Sequence, residues 1–395
     1  MSAMPAMSGV PISDGRRRVV VVGGGFGGLT CARALDGAPV DVLLIDARNY
    51  HLFTPLLYHV ATALLDPSDI AYPFRTIFRR SRNVRFRQAL VTGVDFEAKR
   101  VRTHGGPKIG YDTLVLATGS INAYFGNPDL AERTIGMKSL DEALRLRNHV
   151  LSCLERAAQT SDPGERAEWL TFVIVGGGPT GVEYSGALAE LLGMVLGRDF
   201  PELAPDDVWS AGVRPNDPLD PEAGERSRTG RLVVDDHLRL RATLPGDTSV
   251  LPDVYAIGDV ASVSSGPAAG ELPMLSPPAM QEGRYVAGMI RGEITRPVRY
   301  RDKGTMAAIG RRAAVAEVGP LRLRGALGWV TWLVVHLYYV IGFRNRLVVL
   351  ASWAWDYLRR DRPVRLVVRS HYDPIAAGLV PDDEPEPPPD PDDRV

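Results

Sequence analysis

The chain has 395 residues, room for two or three domains with ample cores, and a formal net charge of −1. So balanced a chain generates no overall field that would gather nucleic acid or acidic substrates. Its two cysteines, Cys31 and Cys153, fit no metal spacing and form no C-x-x-C pair, which counts against a dithiol redox centre and a cysteine metal site. Residues 1–15 lack a basic and apolar leader pattern and read as a disordered lead-in, so the chain is expected to stay in a reducing cytoplasm.

Residues 19–22 form an apolar, β-branched run that breaks into glycines and then into helix-compatible sequence at 29–35. The glycines stand at Gly23, Gly25 and Gly28, the spacing of a strand–turn–helix that opens a dinucleotide-binding βαβ unit. Gly23 permits the tight turn, Gly25 lets a pyrophosphate reach the backbone, and Gly28 lets the helix pack close to the strand. The start of that helix then faces the phosphates with the positive end of its dipole. A second apolar strand at 40–45 ends on Asp46, at the distance where a carboxylate meets ribose hydroxyls.

Residues 83–87, 89–96 and 100–103 alternate as short strands, and 111–116 is a buried strand running out into Ala117, Thr118, Gly119 and Ser120. Residues 139–158 have helical spacing, with Ser139 and Glu142 in capping-box positions. A second nucleotide unit opens at 170–183, with glycines at Gly176, Gly178 and Gly181 and Pro179 in the first helical turn. After its helix at 182–196, a strand ending in an acid should follow, then a further helix and strands. Instead 197–207 leads straight into 208–215, and Asp199 and Glu202 follow no apolar strand. What remains is expected to close as one right-handed βαβ unit, with about half of a nucleotide fold missing.

Downstream, 252–261 is a buried strand delivering Asp259 to a loop, 277–290 is a helix, and 301–310 returns to strand. Residues 325–343 are almost wholly apolar and carry Trp329, Trp332 and His336; residues 347–358 add Trp353 and Trp355, with arginines around both runs. Four of the six tryptophans fall here, as suits a membrane–water boundary. His336 and the arginine-bounded second helix favour a segment lying in the interface over a spanning one. A soluble dimer interface is the alternative, so a homodimer stays open. Residues 381–395 form an acidic, proline-rich tail.

Taken together, these residues resemble the type II NADH dehydrogenases, the single-chain, non-proton-pumping NADH:quinone oxidoreductases of the two-dinucleotide-binding-domain flavoprotein superfamily. The likeness runs from about residue 16 to 368, apart from the gap near 207. Its most specific pieces are the first glycine turn, 53–58, 173–183, 256–259, 279–283, 303–306 and 342–346. The resemblance implies an α/β fold with a Rossmann-like FAD domain, a reduced second nucleotide domain and C-terminal amphipathic membrane-binding helices. The boundaries expected are 16–165 and 225–318 for the discontinuous FAD domain and 166–224 for the truncated NAD(P)H domain. The membrane-association segment follows at 319–369 and the tail at 370–395.

By the same resemblance, Gly23, Gly25, Phe26, Gly28 and Asp46 hold the diphosphate and adenosine ribose of FAD. Thr118, Gly119, Ala279 and Met280 line the cofactor, and Asp259 meets its ribityl or pyrophosphate region. Gly176, Gly178 and Gly181 take the pyrophosphate of NADH, more weakly without the missing half. Gln281 is the candidate quinone contact. Glu183 and Lys303 look like the family's charged pair near the flavin, with Glu183 relaying protons; a carboxylate placed only to suit the helix dipole is the other reading of Glu183. The reaction implied is hydride transfer from NADH to flavin N5, then two electrons to a membrane quinone. The expected place is peripheral, on the cytoplasmic face of the cell membrane, against a lipid surface. An FAD oxidoreductase with another donor, or a non-catalytic relative, stays open beside it.

Overall fold

A computed structural model of the chain describes residues 15–122, 124, 128–175, 178–196, 199–200, 203, 213–215, 225, 227, 231–244, 247–263, 271–310, 313–319 and 321–359. Gly176, residues 208–212, the lead-in up to 14 and the acidic tail lie outside them.

In chain order, β1 (Arg17–Val22) feeds α1 (Phe26–Ala34), then β2 (Val40–Asp46), α2 (Leu57–Ala61), β3 (Val84–Gln88), β4 (Thr113–Leu116) and β5 (Ser120–Asn122). There follow α3 (Leu140–Gln159), α4 (Pro179–Val195), β6 (Val213–Pro215), β7 (Arg239–Leu244), β8 (Asp247–Ala256) and α5 (Ser276–Ile290). The described chain closes with β9 (Thr305–Gly310), β10 (Ala313–Val318), β11 (Leu321–Arg324), α6 (Gly325–Tyr339) and α7 (Phe343–Arg359).

The central sheet has the order β7-β8-β4-β1-β2-β3, parallel throughout except for the antiparallel β7–β8 pair. Strands buried on both faces need continuous apolar sequence, and Val19, Val20, Val21, Leu114, Val115 and Leu116 are fully buried. Helices α1 and α5 cross on the sheet so tightly that a side chain on Gly283 would run into the Gly27 carbonyl. Helix α3 starts where its capping box predicts: Ser139 Oγ accepts from the Glu142 amide at 3.2 Å, and Glu142 Oε2 accepts from the Ser139 amide at 2.7 Å.

A second buried cluster lies apart from this sheet. It gathers Leu57 and Tyr58 of α2, Leu151 and Leu154 of α3, and Leu188 and Leu191 of α4, with Trp332 of α6 and Trp353 of α7 closing it. The C-terminal helices therefore pack into the same core as the second glycine unit. Beneath α6 runs the antiparallel sheet β9-β10-β11.

One expectation is overturned. The stretch at 171–175 is not a strand, and no βαβ unit closes around α4 among the described residues. Strand β6, the expected return strand, pairs antiparallel with β5 instead, Ser120 opposite Pro215 and Asn122 opposite Val213. A parallel strand needs a neighbour to accept its ladder of hydrogen bonds. Among the described residues 171–175 has none, and Val173 is 70% exposed where a central strand would be covered.

Candidate active site

The first glycine turn is built from both sides. Gly23 lies at φ +98°, and a Cβ there would collide with the Ala117 carbonyl, so only glycine fits. A Cβ on Gly28 would likewise strike the Gly23 carbonyl, which is the close helix–strand approach expected of it. At Gly25 a Cβ meets nothing within 4 Å, because this position faces an open cavity. The Gly24 amide donates to Asp46 Oδ2 at 2.6 Å, and His51 Nδ1 donates to the Gly24 carbonyl at 2.9 Å. Burial raises the Asp46 carboxyl, and the Gly24 and Arg48 amides oppose that rise. His51, enclosed beside the ring of Phe26 at 5.2 Å, is pushed down to about 4 by burial and is neutral near pH 7.

The cavity measures about 830 Å³ and joins both glycine turns. On one wall stand Gly23, Gly25, Phe26, Asp46, Thr118 and Gly119; Gly178, Gly181 and Glu183 stand on the other, with Asp259 and Ala279 between them. Gly23, Asp46, Thr118 and Asp259 stand at the carboxyl ends of β1, β2, β4 and β8, where open parallel sheets bind their ligands. Its size, the bare backbone at Gly25 and the Asp46 carboxylate at a strand end fit a flavin dinucleotide in this half. In the other half Gly178 precedes α4, and a Cβ there would again meet no atom within 4 Å.

Asp259 follows Gly258, which turns at φ +74°. Its Oδ2 accepts from Ser120 Oγ at 2.7 Å, and Lys138 Nζ donates to the same hydroxyl at 2.9 Å while lying 3.9 Å from Asp259. The Gly258 amide donates to Glu282 Oε2 at 2.6 Å, and burial pushes the Glu282 carboxyl up to about 7. Sequence reasoning passed over Ser120, Lys138, Glu282 and His51. Ser120 and Glu282 sit inside stretches already singled out, and Lys138 is one of only four lysines, so the residues were legible but their contacts were not.

Glu183 lies in the first turns of α4 and reaches the cavity wall. Its Oε1 accepts from Trp332 Nε1 at 3.1 Å and from the Ala308 amide at 3.2 Å. Burial pushes its carboxyl up to about 7, against both donors, which favour the anion. Lys303 is not its partner: it is exposed ahead of β9, and no Glu183–Lys303 ion pair forms. A buried carboxylate can be satisfied by backbone and indole N–H groups without a lysine, and that is what the packing of α6 supplies.

Gln281 is also placed differently from expectation. Its Nε2 donates to the Arg301 carbonyl at 2.9 Å and its Oε1 accepts from the Arg301 amide at 3.0 Å. The side chain clamps that segment and borders a second, smaller cavity of about 230 Å³. An amide whose two ends are already paired with backbone has little left for a quinone. Met280 is buried and does not line the main cavity, whereas Ala279 does. Asp199, at the end of α4, is likewise away from it.

A profile of the family described as "Pyridine nucleotide-disulphide oxidoreductase" matches residues 17–196 and 206–283, and the break falls where the second unit is short. A type II NADH:quinone oxidoreductase of Mycobacterium tuberculosis is 34% identical, covering 88% of this chain and 89% of that protein. That comparison extends over 430 positions, more than this chain's own length, so the relative has residues this chain lacks. A second M. tuberculosis type II NADH:quinone oxidoreductase is 33% identical, covering 91% of each. Among solved structures, NDH2 of Plasmodium falciparum in complex with NADH superposes with a TM-score of 0.76 at 17% identity, over 88% of this chain and 99% of that one, a likeness of fold.

Proposed function

The chain belongs to the pyridine nucleotide-disulphide oxidoreductases and, within them, to the type II NADH:quinone oxidoreductases, and from that premise we propose how its own residues serve the reaction. The activity is flavin-dependent oxidation of NADH with reduction of a quinone. FAD, when bound, supplies the redox chemistry, accepting a hydride at N5 and passing an electron pair onward. The protein contributes binding, orientation and a proton.

Gly23, Gly25 and Gly28 present backbone to the FAD diphosphate, and Asp46 takes its ribose hydroxyls. Phe26, Thr118, Gly119 and Ala279 line the cofactor. Asp259, held by Ser120 and partly neutralised by Lys138, meets the polyhydroxyl chain. Gly178 and Gly181, with Gly176 ahead of them, receive the NADH diphosphate at the start of α4. The observation that carries the reading is Glu183: a carboxyl at the cavity wall, buried and poised near neutrality, able to hold and release a proton at Oε2 while Oε1 accepts from two N–H groups. It hands that proton to the quinone.

Replacement Glu183→Gln tests this. Quinone reduction should fall about 100-fold and lose its pH dependence near 7, while flavin bleaching by NADH continues. Unchanged quinone rates with an unchanged pH profile would remove Glu183 from the reaction.

We also propose peripheral attachment to the cytoplasmic face of the cell membrane through α6 and α7. Leu327, Val330, Val334 and Tyr338 form one exposed apolar stripe on α6, and Phe343, Leu347 and Leu350 continue it on α7. Among the described residues no helix is long and apolar enough to cross a membrane. A homodimer covering the same stripe is the competing arrangement.

A further inference from the structure

Both hydrogen bonds to Glu183 come from outside its own helix, one from the β9 backbone and one from a side chain on α6. We propose that Trp332 is a positioning residue for the reaction, fixing the Glu183 carboxylate at the cavity wall and favouring its anionic form. The inference rests on the proton-handling role of Glu183 and adds to it the residue on the C-terminal helices that controls it.

Trp332 is 1% exposed, and its indole has no room to turn. His336, one turn on, stacks against it with ring centroids 4.0 Å apart and donates Nδ1–H to the Trp332 carbonyl at 2.7 Å. His59 and Trp353 stand at 5.8 and 5.7 Å, and Trp353 Nε1 donates to His59 Nδ1. The N–H vector of the indole is therefore set by packing on several sides, and it ends on Glu183 Oε1. A buried indole N–H usually finds an acceptor, so satisfaction of the indole alone would explain the contact. That bland reading predicts a cost in stability and nothing else. Positioning predicts a change in how Glu183 titrates.

Of the groups that could confuse such a titration, Glu282 of α5 is the first, its buried carboxyl also pushed up to about 7, and its band is told from that of Glu183 because it survives in Glu183→Gln. His336 on α6 is pushed down to about 4 by burial and stays neutral through the neutral range. Tyr184, next on α4, is buried and raised well above its usual range. His59 on α2 stands beside the indole and accepts from Trp353 Nε1 at its Nδ1. From β9 the facing group is the uncharged Ala308 amide, with Lys303 exposed ahead of that strand.

The test uses the purified, FAD-loaded protein and the variant Trp332→Phe, which keeps the ring and removes the donor. Infrared titration follows the protonated carboxyl band assigned to Glu183 by its loss in Glu183→Gln. Losing one hydrogen bond to the anion should move its midpoint upward by about one pH unit, and the pH profile of quinone reduction should move with it. In the double variant with Glu183→Gln, Trp332→Phe should add no further change to that profile. An unmoved midpoint in folded, yellow Trp332→Phe protein overturns the inference. Should the phenylalanine variant fail to fold, a benzothienylalanine at position 332 replaces N–H by sulfur at nearly constant shape and must give the same shift, or the inference fails. Failure of the Glu183 reading looks different: Glu183→Gln would itself keep full quinone activity, whatever Trp332→Phe does.

Discussion

Gly25 and Gly28 lie one helical turn apart and should fail in different ways. A Cβ on Gly25 enters open cavity, while one on Gly28 meets the Gly23 carbonyl. Gly25→Val should therefore fold normally yet bind FAD about 100-fold more weakly, a loss of about 2.7 kcal/mol, read by bound-flavin absorbance beside an unchanged far-ultraviolet spectrum. Gly28→Val should lose about 1–3 kcal/mol of stability from overpacking, seen as a lowered denaturation midpoint. Buried titratable residues set the pH response. The Glu183 carboxyl, raised from 4.5 to about 7 in the folded chain, keeps its proton longer when folded than when unfolded. It thus contributes stability below about pH 4.5 that is lost as pH rises through 7. His51 and His336, lowered from 6.5 to about 4, act oppositely and withdraw stability as pH falls across that window. Glu183→Gln removes only the first effect. Relative to the parent, it should gain roughly 2–3 kcal/mol between pH 4.5 and 7.5, measured by urea unfolding at the two ends.

At the scale of elements, α6 shows how composition misleads. Tryptophan enrichment in the C-terminal third reads as a membrane-interface mark. Two of those four tryptophans, Trp332 and Trp353, are core residues. Trp355 is 52% exposed. An almost wholly apolar helix has no sequence-visible inner face; its neighbours choose one. The two faces should separate by mutation. Aspartate at Leu327, Val334 and Tyr338 together should reduce liposome binding at least about tenfold with flavin content unchanged, as cosedimentation would show. Trp332→Ala should instead destabilise by about 3–5 kcal/mol through the cavity it leaves.

For the whole molecule, the main departure we propose is a second nucleotide unit lacking about half of its fold, in keeping with a comparison that runs over more positions than this chain has. Among the described residues 171–175 joins no sheet, Val173 is open to solvent, and no strand after α4 ends on an acid that could receive the second ribose. Losing two or three hydrogen bonds of roughly 1 kcal/mol each should weaken NADH binding about 100-fold beside an intact relative. On the same reading no carboxylate repels a 2′-phosphate, so discrimination between NADH and NADPH should be within about tenfold. Anaerobic flavin bleaching, titrated with each nucleotide, measures both. Tight binding with strong preference for NADH would show that another part of the chain has replaced the lost ribose site.

From the sequence alone came what depends on neighbours in the chain: the first glycine turn and its Asp46, the α3 capping box, the strand that delivers Asp259, the shortened second unit, and Glu183 as a residue of interest. These follow from spacing, because turns, caps and strand ends are set within a few residues. Only the tertiary structure decided what surrounds them. Glu183 meets Trp332, 149 positions away, rather than Lys303; Gln281 clamps Arg301 rather than facing the cavity; and β6 joins β5. Burial and hydrogen-bond pairing are properties of packed surfaces brought together from distant segments, and no local pattern encodes which surface will arrive.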